Sequence, residues 1–167
     1  MKENFSIRLA EPSDIPLIVN LATKIWPITY KDILTPAQLA YMMEMIYSPA
    51  SLQRQMKENG HQFIIVFDET KDLGFASYSP IMAKEVFKLH KIYVLTNQQG
   101  KGLGKGIVDW IIREIAVDGA HALRLNVNRF NKAKQFYEKL GFTVIGEEDI
   151  DIGNGYFMND FIMEKQF

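Results

Sequence analysis

Gln99-Gly100-Lys101-Gly102-Leu103-Gly104 combines residue types suited to holding an anion. Glycines let the backbone approach a ligand closely, and the helix-like stretch Lys105–Val117 that follows would aim its free N–H groups at the same point. A pyrophosphate is the natural guest, with Lys101 and Lys105 adding positive charge. Two well-known phosphate loops fail on spacing. A P-loop needs Ser or Thr after Gly-Lys, and Gly104-Lys105 is followed by Gly106. The dinucleotide fingerprint G-x-G-x-x-G, counted from Gly100, ends on Lys105, and counted from Gly102 it ends on Ile107. What remains is Q-x-x-G-x-G after an apolar run, Leu89–Val94.

A second block, Asn126-Val127-Asn128-Arg129-Phe130-Asn131 running into Ala133-Lys134-Gln135-Phe136-Tyr137-Glu138-Lys139-Leu140-Gly141-Phe142, reads as a strand, an Asn-containing turn and a short helix. The two blocks, in this order, resemble the recurrent motifs of the GNAT superfamily of N-acetyltransferases. The resemblance implies acetyl-CoA as co-substrate, no metal, and an α/β (α+β) GNAT fold. That fold is a central mixed, mostly antiparallel sheet of six to seven strands flanked by about four helices, with a splayed strand pair forming the acetyl-CoA cleft.

Carried onto this chain, the resemblance assigns Ile92, Tyr93 and Val94 to backbone pairing with the pantetheine arm, a form of strand addition by a ligand. Gln99, Gly100, Lys101, Gly102, Leu103, Gly104 and Lys105 take the pyrophosphate. Tyr137 is the catalytic candidate, the acid that protonates the departing thiolate; an ordinary phenol stays protonated at neutral pH. Its place on an apolar helix stripe equally suits a core tyrosine. Asn131 either bonds the pantetheine arm or orders the turn. The family places this Asn three residues before the alanine, where Phe130 stands here, so Asn128 is a rival. Lys139 is within reach of a phosphate or simply solvated.

An alkylamine is protonated at neutral pH, so its attack requires a proton acceptor. Many relatives have a glutamate on one of the two central strands; Leu89-His90-Lys91-Ile92 and Leu125-Asn126-Val127 contain none. His90 is the nearest candidate and a water chain to an acid is the default. Trp26-Pro27-Ile28-Thr29-Tyr30 and the closing Tyr156–Met163 segment are similar to bacterial spermidine/spermine N-acetyltransferase-like members. Trp26 and Tyr30 are therefore substrate-side candidates, joined by His90 as the candidate nearest the cleft and by Asn126, which lies with Asn128 on the face opposite Leu123, Leu125 and Val127. Glu147, Glu148, Asp149 and Asp151 either attract a cationic amine or form a solvated strand face.

Composition limits the alternatives. With 167 residues, 47% of them hydrophobic and 23% charged, the chain suits one globular domain over residues 1–167. A net charge of −1 gives no general attraction to nucleic acid or anionic membrane. The absence of cysteine removes disulfides, thiolate metal sites and a cysteine nucleophile. No signal core precedes the first strand, and no apolar run approaches membrane length, which points to the cytoplasm. The partners expected are a small-molecule amine and, as often in this superfamily, a second copy in a homodimer, although no heptad or exposed apolar run marks an interface. The leading function is acetyl transfer to a primary amine such as a polyamine. The alternatives are transfer to a protein or peptide amine, or a non-catalytic coenzyme-A-binding module.

The elements that must position these residues follow from periodicity. Phe5–Leu9 alternates as a strand. Ser13-Asp14 offers capping oxygens to a helix carrying Ile15, Ile18, Val19 and Ala22, and Thr35-Pro36 opens a second helical region whose apolar set is Leu39, Met42, Met43 and Ile46. Strands are expected at Gln62–Phe67, Asp72–Ser79 and Glu85–Leu95. In the last of these Phe87, Leu89, Lys91 and Tyr93 share one face, and Lys84, Lys88 and Lys91 read as solvated. After the glycine loop, Val108, Ile111, Ile112 and Ile115 form a helix stripe, and Leu123, Leu125 and Val127 alternate as a strand. Ala133, Phe136, Tyr137 and Leu140 mark a helix capped at Gly141, and a hairpin around Gly153-Asn154-Gly155 ends the chain.

Overall fold

The computed structural model describes residues 4–167, so the opening Met1–Glu3, expected to run straight into the first strand, lies outside it. Twelve strands and α-helices follow: β1 (Ser6–Leu9), α1 (Ile15–Thr29), α2 (Pro36–Tyr47), α3 (Pro49–Lys57), β2 (Gln62–Phe67), β3 (Asp72–Met82), β4 (Val86–Val94), α4 (Leu103–Val117), β5 (Ala122–Asn128), α5 (Ala133–Lys139), β6 (Thr143–Gly153) and β7 (Tyr156–Gln166). The strands form a seven-stranded mixed sheet in the order β1-β2-β3-β4-β5-β7-β6. The expected α/β class and strand number hold, and the described residues form five α-helices where about four are expected. The reason is Pro49. Proline disfavours the helical region for the residue before it, and Ser48 is extended (φ −60°, ψ 146°); its hydroxyl then accepts the Ser51 N–H to start α3 afresh.

The chain groups into two compact units, Met1–Ser79 with Lys91–Trp110, and Pro80–His90 with Ile111–Phe167. In the first, β1, β2 and β3 pair antiparallel, and Phe63, Ile64, Ile65 and Val66 are all buried, so β2 is apolar on both faces. Ile18, Ala22 and Ile25 of α1 supply its helical core stripe. Two local expectations are corrected here. Asp14 does not cap α1: its carboxylate accepts the Arg8 guanidinium at 2.8 and 2.9 Å and the Glu11 N–H at 2.9 Å, and these bonds hold it below the ordinary carboxylate pKa. In α2 the buried side chains are Met42 and Tyr47, while Leu39, Met43 and Ile46 are half-buried.

In the second unit β5, β7 and β6 pair antiparallel, and β4 joins β5 in a parallel ladder from Val86–Ala122 to Leu89–Leu125. The connection from β5 to β6 passes through α5, which ends where Gly141 takes φ +95°. Phe142 N–H then bonds Tyr137 C=O and Gly141 N–H bonds Glu138 C=O, each at 3.0 Å, a full C-terminal cap that also buries Phe142. The closing hairpin turns at Asn154-Gly155, both left-handed (φ +55° and +78°), which matches the twist of paired strands.

Candidate active site

The glycine loop lies between β4 and α4 and is built from backbone. Gly100 and Gly102 both adopt left-handed backbone (φ +81° and +79°), and a Cβ placed on either would meet nothing within 4 Å. The loop therefore faces open space on the side a side chain would occupy. α4 begins at Leu103, earlier than Lys105, and its first full-turn bond runs from Gly106 N–H to Gly102 C=O at 3.0 Å. Among the described residues, the N–H groups of Gly100 through Lys105 have no backbone acceptor, so a run of successive donors leads into a helix N-terminus. This arrangement fits a pyrophosphate. Gln99, Lys101 and Lys105 are exposed, whereas the Leu103 side chain is buried, which leaves its N–H as the part available to a ligand. The Lys105 ammonium already donates to Asp109 at 2.7 Å, an exposed pair that solvent screens.

On β4, Ile92, Tyr93 and Val94 are half-buried. Gly74 of β3 lies against them so closely that a Cβ there would sit 2.4 Å from the Tyr93 carbonyl oxygen. Tyr93 belongs to an aromatic group with Trp26, at 5.5 Å between ring centres, and Tyr30, whose hydroxyl is 2.8 Å from its own. Trp26 is 3% exposed and packs on Tyr47 as well, so it anchors α1, while Tyr30 is half-buried. Lys91 contradicts its expected solvation. It is buried, its ammonium donates to Gln55 of α3 at 2.6 Å and lies 5.4 Å from the centre of the Phe63 ring, and burial lowers its pKa to about 8.

Tyr137 is 7% exposed on α5, between the rings of Phe136 and Phe142. The two turn asparagines act on local backbone: Asn131 Oδ1 accepts the Ala133 N–H and Asn128 Oδ1 accepts the Phe130 N–H, each at 2.9 Å. Lys139 is exposed and His90 half-buried. Asn126 is drawn into a polar network on the β5–β7–β6 face, where its amide donates to Glu148 at 3.0 Å and to Asp160 at 3.3 Å. Asp160 is 2% exposed, and burial is the main cause of its raised pKa. The Asn126 bond and the charges of Lys88 and Arg129 oppose that rise, and Glu148 adds to it. Arg129 pairs with Asp149 and Glu147, so part of the acidic run is neutralised within the molecule.

Sequence reasoning missed Asp160 and Lys91. In an alternating strand such as Tyr156–Met163, one aspartate carries no mark of burial. Its significance emerges from register, which sets Asp160 directly opposite Asn128 on β5 and Glu148 on β6.

The acetyltransferase (GNAT) domain model matches residues 31–158. An L-methionine sulfoximine/L-methionine sulfone acetyltransferase of Pseudomonas aeruginosa is 29% identical over 53% of this chain and 54% of its own length. A [ribosomal protein bS18]-alanine N-acetyltransferase of Haemophilus influenzae is 28% identical over 55% of this chain and 58% of its own. The chain thus spans about half the length of the curated relatives it matches. Among solved structures, the PaiA N-acetyltransferase of Thermoplasma acidophilum in complex with coenzyme A superposes with a TM-score of 0.81, 25% identity, and coverage of 99% of this chain and 100% of that one. With a family model spanning most of its length and a matching whole-chain fold, this chain belongs to the GNAT acetyltransferase domain family.

Proposed function

We propose that the protein is an acetyl-CoA-dependent N-acetyltransferase acting on a primary amine in a ternary complex, with a small molecule such as a polyamine as the first acceptor to test. The observation that carries this reading is the Gly100–Lys105 loop, whose unengaged amides and open left-handed glycines suit a pyrophosphate without a metal. The co-substrate supplies an acetyl group activated as a thioester. The loop binds its phosphates, and the Lys91–Val94 backbone of β4 pairs with the amides of its pantetheine arm. Backbone N–H groups near Val94 stabilise negative charge on the reacting carbonyl, and Tyr137 gives its phenolic proton to the departing thiolate.

Acceptor identity is supported by chemistry common to the relatives. The names of the two described above refer to amino-acid derivatives and to the alanine of a ribosomal protein, so a primary amine is the shared feature and an α-amine is the specific rival to a polyamine. Thiol release from acetyl-CoA should rise in the presence of one acceptor class when polyamines, amino-acid derivatives and short peptides are compared. Tyr137→Phe should lower kcat by at least about tenfold with coenzyme affinity retained. Tight coenzyme binding with no stimulated release would replace the transferase by a coenzyme-binding module.

A further inference from the structure

An alkylammonium must lose a proton before its nitrogen can attack, and neither Leu89–Ile92 nor Leu125–Val127 supplies a glutamate to take it. Resting on the transferase reading above, we propose that Asp160 accepts the proton of the acceptor amine and that Asn126 is the positioning residue that orients its carboxylate.

The placement comes from register. The parallel β4–β5 ladder has its last rung at Leu89–Leu125, and β5 runs on through Asn126 to Asn128. Asp160 lies directly opposite Asn128, and cross-strand partners share a face, so Asn126, Asn128 and Asp160 stand together just past that rung. α5 packs on the other face, since Lys134 sits 5.0 Å from the ring centre of Phe161, the neighbour of Asp160 that points the opposite way. Asn126 and Asp160 therefore face away from the helix that carries Tyr137.

Asp160 also differs from the other acids of this region. Glu164 is paired with Arg124 at 3.0 Å, and Asp149 and Glu147 are paired with Arg129. Among the described residues, the donor to the Asp160 carboxylate is the neutral Asn126 amide, through Oδ2, with no ion pair at either oxygen. Its charged surroundings are mixed: Lys88 from β4 and Arg129 from the turn favour the anion, whereas Glu148 from β6 and burial disfavour it. A carboxylate so placed accepts a proton more readily than an exposed aspartate. Because the Asn126 NH2 donates to both acids, its Oδ1 is turned away from them and is available to an N–H of the incoming amine. In the step, one N–H bond of the ammonium breaks, its electron pair stays on nitrogen, and an O–H bond forms on Asp160. The proton then passes to solvent when the product leaves.

Two measurements on the full chain test this. Carboxyl titration by NMR with 13C-labelled aspartate should place Asp160, identified by its absence in Asp160→Asn, above the ordinary value of about 3.9, and Asn126→Ala should move it higher still. In parallel, kcat/KM for spermidine, L-methionine sulfone and an alanine-initiated peptide is followed from pH ~4 to ~9.5 with acetyl-CoA saturating. Asp160→Asn should lower it by about 10²-fold and remove the acid limb set by this group, with acetyl-CoA affinity and Tm retained; Asp160→Glu should recover part of the loss. An ordinary or lowered titration, or an unchanged acid limb in Asp160→Asn, overturns the role of Asp160 alone. A wild-type chain that binds acetyl-CoA yet transfers to none of the three probes overturns the transferase reading and this role with it.

Discussion

The two regions assigned to binding and to proton transfer are made in opposite ways. The Gly100–Lys105 loop presents main-chain N–H groups and two left-handed glycines, and its side chains are exposed or turned into the core. The β5–β7–β6 face presents side chains, with Asn126, Glu148 and Asp160 bonded across three strands and Arg129 beside them. Backbone donors come with the conformation and are lost when the conformation is forbidden. Side-chain donors depend on identity, and a single isosteric change alters their chemistry while the fold stays. The first region should therefore respond to changes at glycine and tolerate changes of charge, and the second should do the reverse.

The largest effect should come from Gly74→Ala, because the new Cβ would lie 2.4 Å from the Tyr93 carbonyl, a backbone atom that has no flexible end to yield. We expect a loss of about 3 kcal/mol in denaturant unfolding together with weakened coenzyme binding, because β4 must shift. Gly102→Val should separate folding from binding. It strains a residue at φ +79° and fills the open space without striking protein, so coenzyme A affinity measured by calorimetry should fall by about 100-fold, roughly 2.7 kcal/mol. By contrast Lys101→Ala should weaken binding by less than about tenfold and lose its effect at high salt, since it removes one exposed charge.

Lys91 sharpens the contrast from within the first unit. Its folded pKa of about 8 lies below the ordinary 10.5, so the unfolded chain holds more protons between those values and wild-type stability should rise as pH increases through that window. Below it, keeping the ammonium buried costs about 3 kcal/mol on the same arithmetic. Lys91→Met should flatten that rise and be the more stable protein at neutral pH, with Gln55 still bonded to Ile46 C=O and Ser51. A denaturation midpoint with the same pH dependence in both proteins would show that Lys91 remains solvated. The smallest effect on folding stability belongs to Arg129→Ala, whose partners Asp149 and Glu147 are each 61% exposed at the side chain; under about 1 kcal/mol is expected, reduced further by salt.

Much of this architecture was legible in the chain itself. The glycine loop, the short helix ending in Gly141 and the hairpin at Gly153–Gly155 were readable because each depends on local stereochemistry, namely φ > 0, capping and turn geometry. Strand limits such as Gln62–Phe67 followed from apolar runs that end at charged residues. The break between α2 and α3 was also local, in Ser48-Pro49, yet a continuous apolar pattern across Leu39–Ile46 concealed where the second helical region would stop. Asparagine roles were half legible: Asn131 does order its turn, and its oxygen is occupied in doing so.

Residue types and spacing by themselves marked the helices, the strands and the glycine-rich turn before α4, because those rest on interactions between neighbours along the chain. Tertiary structure alone decided which charges are buried. Lys91 and Asp160 look like ordinary members of amphipathic strands until pairing places one against Gln55 and Phe63 and the other opposite Asn128 and Glu148. Their ionisation depends on desolvation, a property of everything packed around a group, and residues distant in sequence supply most of that packing.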